Sequence, residues 1–346
     1  MKNIVLIPRI IRGGAELQCI YFCNELAQNN IETELLVIKD FDCNLREYID
    51  PRVKVICFRK SKGKFINLLI FLVKIYTYII LNKPDRINTF LSYSEKIILP
   101  LLVLIPSLSS FSFVRSKITK SNKVGNFIGF LIGNFYTNII VNDKNNIQPA
   151  IAFYKRLPLY MPNHINLNNY NLRPVIQQFF AIYVARFIPE KNHDFILEYL
   201  NIYQDNLSHP IIFCSSDNPP SNILRKSNNF ISNSKLLINK DCSDIPLFLN
   251  KSKICLFTSY YSEGMPNSLL EAMACFIPIV CTDKLKKLNM PILYYRHNDL
   301  KDFNRKILQA SSINYSIDVN KYKTYLESLQ LERREFIDEN YIFKGV

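Results

Sequence analysis

Short apolar runs recur along the chain, each followed by a polar turn and a stretch with apolar positions three and four apart. Lys2–Ile7 is nearly all apolar, which predicts a strand covered on both faces, as in a parallel sheet. Gly13-Gly14 follows, and Leu17, Ile20, Cys23 and Ala27 then mark one side of a helix. Glu34–Lys39, Val53–Phe58, Asp85–Phe90, Phe111–Val114 and Asn138–Val141 repeat the strand signal. Residues 161–176 are polar, rich in Asn and bracketed by prolines, which is linker composition. A second cycle opens with strand Phe179–Val184 and helix Asp194–Tyr203. Strands Ile211–Cys214 and Lys235–Ile238, helix Ser243–Asn250, strand Ile254–Thr258, helix Asn267–Cys275 and strand Ile279–Cys281 complete it. Two alternating halves predict an α/β protein with two Rossmann-like, doubly wound parallel-sheet domains facing across a cleft lined by strand carboxyl ends. The expected boundaries are 1–165, a linker over 166–176, and 177–346, with the last helix free to return to the first domain.

Two apolar stretches test for membrane spans. Phe65–Leu81 contains Lys74, and Ile97–Val114 contains Pro100 and Pro106. Both fall at or below the roughly 20 residues a spanning helix needs. The first reads as a packed or interfacial helix, the second as a buried helix leading into a strand. The 346 residues suit two domains of about 150 each. With 48% apolar and 21% charged residues the chain is not a disordered one. Nine scattered cysteines without C-x-x-C, and four unclustered histidines, predict no zinc or other metal site. No secretory signal precedes the first strand, so a reducing, cytoplasmic setting is expected.

The net charge of +14 is uneven: residues 1–170 carry 22 Lys/Arg against 11 Asp/Glu. Arg52, Lys54, Arg59, Lys60, Lys62 and Lys64 form one basic stretch. Arg115, Lys117, Lys120 and Lys123 form another, inside an acid-free run from Lys96 to Asn142. This excess fits an anionic membrane surface or a solvated face. No nucleic-acid-binding motif accompanies it.

The strongest chemical signal runs from Ser259 to Ala274 (SYYSEGMPNSLLEAMA). A strand ends near Thr258 and a helix starts near Pro266, a residue suited to the first helical position. The amides around Gly264, Met265, Pro266, Asn267 and Ser268 then form an anion site aided by the helix dipole. Glu263 and Glu271 bracket it, and a carboxylate can accept two hydrogen bonds from a vicinal diol. In Tyr183–Asn192 (YVARFIPEKN), Arg186 and Lys191 are two cations suited to clamping a diphosphate. His193 follows and reads as helix surface. Gly13-Gly14 is a weaker signal, and the dinucleotide fingerprint G-x-G-x-x-G is missing.

These motifs resemble those of glycosyltransferase family 4, a large retaining group of the GT-B fold. Glu263…Glu271 has the family's E-x7-E spacing within E-G-x-P-N-x-L-L-E-A-M-A, Tyr183–Asn192 resembles its G-R-L-x-x-x-K-N loop, and Gly13-Gly14-Ala15-Glu16 its G-G-A-E loop. Weaker matches occur at Lys83-Pro84-Asp85, Met161-Pro162-Asn163 and Thr282-Asp283. The resemblance implies that Glu263 sits by the donor sugar, that Glu271 binds the nucleotide ribose, and that Gly13 and Gly14 face the donor. The sequence departs from the family at Ala185 and Phe276, where glycine is usual, and at Ser215-Ser216-Asp217, where a Gly-rich turn is expected. The first half has no His at the position many members use near the reacting sugar; Ser92 and Arg115 are nearest in order.

The resemblance implies transfer with retention from a nucleotide sugar, foremost a UDP- or GDP-sugar, to a glycan or lipid-linked acceptor; metal independence is expected from Arg186 and Lys191 and from reading the chain as free of a D-x-D motif. Arg186 and Lys191 would stand in for a cation, and the leaving phosphate would deprotonate the acceptor. No cofactor is expected. The expected setting is bacterial surface polysaccharide assembly, with the enzyme expected to be peripheral on the inner face of the cytoplasmic membrane and nucleic acid not expected as a partner. A nucleotide-sugar epimerase of the same fold and a non-catalytic sugar-nucleotide-binding subunit remain as alternatives; a product assay without acceptor separates the first, and absence of any donor turnover the second.

Overall fold

The apolar runs become strands that pair parallel throughout. The computed structural model describes residues 1–58, 65–115, 118, 123–170, 176–240, 244–259, 264–312 and 318–342, leaving aside the side chains of 65–69, 168 and 169. Six members of the two basic stretches, Arg59, Lys60, Lys62, Lys64, Lys117 and Lys120, lie outside these residues. The chain divides into one unit of Met1–His164 with Gln330–Val346, and a second of Ile165–Leu329.

In the first unit the strands are β1 (Lys2–Ile7), β2 (Glu32–Val37), β3 (Lys54–Cys57), β4 (Arg86–Phe90), β5 (Ser109–Val114), β6 (Asn138–Val141) and β7 (Leu159–Tyr160). Their order in the sheet is β3-β2-β1-β4-β5-β6-β7. The helices are α1 (Gly14–Gln28), α2 (Phe65–Asn82), α3 (Ser92–Leu104), α4 (Lys123–Phe135) and α5 (Ile147–Tyr154). The second unit has β8 (Phe179–Val184), β9 (Ile211–Cys214), β10 (Leu236–Asn239), β11 (Ser252–Phe257), β12 (Ile279–Thr282) and β13 (Leu293–Tyr295), ordered β10-β9-β8-β11-β12-β13. Its helices are α6 (His193–Tyr203), α7 (Ser221–Ser232), α8 (Ile245–Asn250), α9 (Asn267–Ala274) and α10 (Leu300–Ser311); α11 (Val319–Ile337) runs on into the returning segment.

Continuous apolar strands follow from helices covering both faces of each sheet. Along β1, Ile4 and Leu6 pack with α2–α5, while Val5 and Ile7 pack with α1 and the C-terminal residues Phe336, Ile337 and Tyr341. Along β8, Ala181 and Tyr183 face α6, α7 and α10, whereas Ile182 faces α9 and the start of α11. The Asn-rich segment also contributes, since Ile165 and Tyr170 are buried in that second core. Strand β2 begins earlier than its apolar run, because Glu34 is buried and satisfied by Lys54 at 2.9 Å, Tyr78 at 2.6 Å and Lys2 at 3.3 Å.

Residues after Leu329 are anchored in the first unit by polar contacts. Arg333, 2% exposed, donates from Nε to Glu25 Oε1 at 2.7 Å, from Nη2 to Glu25 Oε2 at 2.6 Å, and from Nη1 to the Pro162 carbonyl at 2.7 Å. His164 Nδ1 lies 2.9 Å from the same carboxylate. Further on, the Tyr341 hydroxyl donates to Asn88 Oδ1 at 2.5 Å, and Arg86 donates to the Asn340 carbonyl while lying over the Phe111 ring.

Glu25→Ala leaves Arg333 buried without its partner, and the expected loss is about 3–5 kcal/mol in urea denaturation. Acid acts on the same group. Burial raises the Glu25 pKa, but the Arg333 charge and the hydrogen bonds from His164 and Arg333 outweigh it and hold it at about 2, below the ordinary 4.5. This stabilisation is therefore complete above about pH 4.5 and lost as pH falls toward 2; melts between pH 5 and 2 should decline more steeply in the wild type than in Glu25→Ala.

Candidate functional site

Strand order reverses between β8 and β11, which pair through Ile254 with Ala181 and Cys255 with Ile182. In open α/β sheets the crevice at such a reversal, beyond the strand carboxyl ends, is where ligands bind. Two of the sequence motifs leave the sheet there. After β8 come Ala185 and the exposed Arg186, then a 3-10 turn Pro189–Lys191. Asn192 takes a left-handed conformation (φ 54), which Asn tolerates better than most residues, and α6 begins. After β11 come the buried Thr258 and Ser259, and later Gly264–Pro266 leading into α9.

Hydroxyl groups fasten the first loop to the second strand. Thr258 Oγ1 donates to the carbonyls of Lys191 at 3.1 Å and Asn192 at 3.2 Å. Ser259 Oγ donates to the Glu190 carbonyl at 3.0 Å, and the Tyr183 hydroxyl also donates to the Lys191 carbonyl. Lys191 Nζ lies 5.7 Å from the centre of the Phe257 ring. The motif around Arg186 and Lys191 is thus held beside the segment that starts α9.

Pro266 stands one residue earlier than its sequence reading. It caps α9 with an extended backbone (φ −73, ψ 128), and the first helical residue is Asn267. The ring fixes φ in a range that suits either place, and ψ decides that Pro266 precedes the helix. Pro266 has no side-chain group with which to cap α9, and the positive end of the helix dipole lies at this start of α9. Gly264, Met265 and Pro266 are buried, and Asn267 and Ser268 half-buried. Glu263 lies outside the described residues, as do Tyr260, Tyr261 and Ser262.

Glu271 sits one turn into α9, half-buried, where burial raises its pKa to about 7 against the opposing hydrogen bond from Tyr170. Cys275 nearby is pushed up to about 12 by burial and by Glu271. Sequence reasoning missed Tyr170, an aromatic residue inside an Asn-rich stretch. It also missed Thr258 and Ser259, whose only signal is a hydroxyl pair where an apolar strand ends.

His193 is not helix surface. It is 3% exposed, its ring set against Phe187 at 4.6 Å, Tyr183 at 4.9 Å and Phe213 at 5.1 Å. Burial first, then the Lys191 charge, lowers its pKa to about 4, so it is neutral at pH 7. Phe276, standing where glycine is usual, adopts φ 52 at the end of α9, and its ring packs on the second core.

Gly13 and Gly14 belong to the first unit, where Gly13 caps α1 and Gly14 begins it. A Cβ on Gly13 would stand 2.5 Å from Glu16 Oε2, so glycine lets that carboxylate fold back over the helix start. Ser92 opens α3, and Arg115 follows β5, also in the first unit. The expectation of no D-x-D motif is wrong: Asp40-Phe41-Asp42 is one, and it lies in the first unit, with Asp42 capping the turn Cys43–Tyr48 through Asn44 N at 3.0 Å. Among the described residues no group of three or more His, Cys, Asp or Glu is placed to hold a metal ion.

Residues 172–288 match the family model for glycosyl transferases group 1. This segment holds both loops, α9 and Glu271. No curated relative matches the sequence. Among solved structures, Anabaena HepE in complex with UDP and glucose superposes with a TM-score of 0.80 at 13% identity, covering 100% of both chains. A mutant of S. aureus TarM in complex with Fondaparinux, alpha-GlcNAc-glycerol and UDP gives 0.72 at 13% identity, covering 100% of this chain and 98% of that one. The lipopolysaccharide outer core galactosyltransferase WaaB, in its apo form, gives 0.65 at 15% identity, covering 99% and 100%. The two parallel-sheet units have the GT-B fold of these structures.

Thr258→Val removes the donor that two loop carbonyls share while keeping the side-chain shape. The expected cost is roughly 1–3 kcal/mol, read as a lower urea midpoint at unchanged slope.

Proposed function

We propose that the protein is a metal-independent, retaining hexosyltransferase of the family 4 type. It moves a sugar from a nucleoside-diphosphate sugar to a hydroxyl of a glycan or lipid-linked acceptor in bacterial surface polysaccharide assembly. The observation that carries this reading is the fastening of the 186–192 loop to the end of β11 at the strand-order reversal. On this reading Arg186, Lys191 and the backbone N–H groups of Gly264, Met265, Asn267 and Ser268, before and at the start of α9, face the ligand from that edge of the sheet. An oxyanion-rich diphosphate fits such a set of cations and amides. Charge that builds on the leaving phosphate is neutralised by Arg186 and Lys191 without a metal ion. Glu271 accepts from the ribose diol, Glu263 takes the donor sugar by resemblance to the family, and the leaving phosphate receives the acceptor proton. The group 1 match and the UDP and UDP-glucose bound to HepE support a UDP-sugar donor.

The acceptor side is read as membrane-held, with the protein peripheral on the inner face of the cytoplasmic membrane. In α4, Gly129 and Gly133 turn toward α5, with a Cβ on Gly133 falling 1.8 Å from the Tyr154 carbonyl oxygen. Val124, Phe127 and Phe130 are exposed at intervals of three residues, 66%, 61% and 44% respectively. This apolar row lies within the acid-free run from Lys96 to Asn142, and apolar contact beside basic charge suits an anionic leaflet. Among the described residues no helix is long and apolar enough to cross a membrane.

A thermal-shift panel of UDP, GDP, ADP and their sugars should give a rise in Tm for one nucleotide class, lost in Arg186→Ala; no shift with any of them would refute the donor site. Affinity should also depend on pH with a defined sign. Free Glu271 has a pKa of about 7, and only its carboxylate can accept two diol hydrogen bonds. UDP-glucose, whose diphosphate does not titrate near neutrality, should bind more weakly below pH 7, by up to about tenfold per unit. Glu271→Gln should bind weakly at every pH. Sedimentation with phosphatidylglycerol vesicles tests the membrane reading: binding should fall at high salt and in Phe127→Ser/Phe130→Ser, and binding indifferent to both would contradict it.

A further inference from the structure

Strand order β1-β4-β5-β6 sets α2, α3 and α4 side by side on one face of the first sheet. Each helix turns a buried stripe inward. In α2 it is Phe71, Ile75 and Ile79; in α3, Ile98, Leu101 and Leu102; in α4, Gly129, Ile132 and Gly133. The Tyr76 hydroxyl of α2 donates to the Ile97 carbonyl of α3 at 2.6 Å and ties the first two helices together. A helix covered on one side only is ordinarily polar on the other.

These three helices are not. Ile70, Val73, Ile80 and Leu81 stand exposed on the side of α2 away from its buried stripe, Leu81 at 74%. Val103 and Leu104 do the same at the end of α3, Leu104 at 75%. With the apolar row of α4, three helices of 18, 13 and 13 residues hold nine of the twenty exposed large apolar side chains among the described residues. Clustering of this kind marks a contact surface. Charge identifies the partner. The only acid in the three helices is Glu95, which is buried. Lys74, Lys96 and Lys123 are exposed, and none forms an ion pair among the described residues. A second copy packed on this face about a two-fold axis would set like charges against each other. An anionic leaflet supplies the opposite charge that the face lacks.

We propose that the outer face of α2, α3 and α4 together is the membrane-contact surface, so that the first unit lies flat on an anionic leaflet with its sheet parallel to the bilayer. The start of α4 is then one corner of the contact and not the whole of it. Apolar side chains enter the acyl boundary, and the lysines reach the headgroups. The carboxyl edge of the first sheet runs along the interface, level with groups carried on lipid headgroups. This inference rests on the reading of the protein as peripheral to the membrane, and it adds which face makes the contact.

The chain contains no Trp, so a single introduced Trp reports on one place. In the full-length protein, Val73→Trp, Leu104→Trp and Phe127→Trp probe α2, α3 and α4. Leu331→Trp is the control, since Leu331 is exposed on α11, whose Phe336 and Ile337 pack on the other face of the sheet. With phosphatidylglycerol vesicles carrying brominated acyl chains, emission from the first three should shift to the blue and lose at least about half its intensity, while Leu331→Trp stays unchanged. Leu81→Ser/Leu104→Ser should bind the vesicles at least about fivefold more weakly than the wild type. Quenching of Phe127→Trp alone overturns the flat contact and leaves the peripheral reading standing. Equal quenching of all four overturns it as well, because no one face is then preferred. A blue shift that needs no vesicles and grows with protein concentration assigns the face to a second copy and overturns the proposal. Wild-type protein that does not sediment with the vesicles refutes the peripheral reading itself, and this inference with it.

Discussion

The pairing of β8 with β11 is the constraint on which the candidate site depends. These strands are far apart in the chain, yet the parallel sheet makes them neighbours and points both carboxyl ends the same way. Pairing alone would bring two loops near each other without fixing them. The hydroxyls of Tyr183, Thr258 and Ser259 supply the fixing, because they satisfy the carbonyls of Glu190, Lys191 and Asn192. Buried carbonyls that lost these donors would have to find others, so the loop has one favoured path. Lys191 and the start of α9 are thereby parts of one construction.

Burial sets the charge state of two groups beside that construction. His193, directly behind Lys191, is kept neutral by burial and by the neighbouring ammonium, so it adds no competing cation. Glu271 is held near its point of half-ionisation by burial, with Tyr170 as a donor beneath it. A carboxyl group in that state can be drawn fully into its charged form by a ligand that offers hydrogen bonds. The first unit treats its buried carboxylate in the opposite way: Glu25 is saturated by Arg333 and His164, and its pKa lies far below the ordinary range. One acid is held ionised by its partners, the other is pushed toward its neutral form by burial.

Much of this was legible in the sequence, and the limits have physical causes. Buried parallel strands are apolar on both faces, so β1, β6, β8 and β9 stand where the apolar runs predict them. Strand ends that carry polar residues were displaced, as at β2, where Glu34 is inside because Lys2, Lys54 and Tyr78 satisfy it. Helices α7 and α10 have few apolar residues per turn and gave little signal, though Phe230, Phe303 and Ile307 anchor them. Arg186, Lys191 and Glu271 were visible through their motifs. Tyr170, Thr258 and Ser259 were not, since their roles depend on partners brought close only by the sheet. His193 was misread for the same reason: the aromatic box around it comes from three separate elements.

Binding of a nucleoside diphosphate at the β8–β11 reversal is open to a decisive experiment, a crystal structure of the protein soaked with UDP. The diphosphate should lie against the leading amides of α9, with Arg186 and Lys191 within hydrogen-bonding reach and the ribose hydroxyls on Glu271. Density for UDP on any other surface, with this edge of the sheet unliganded, would contradict it.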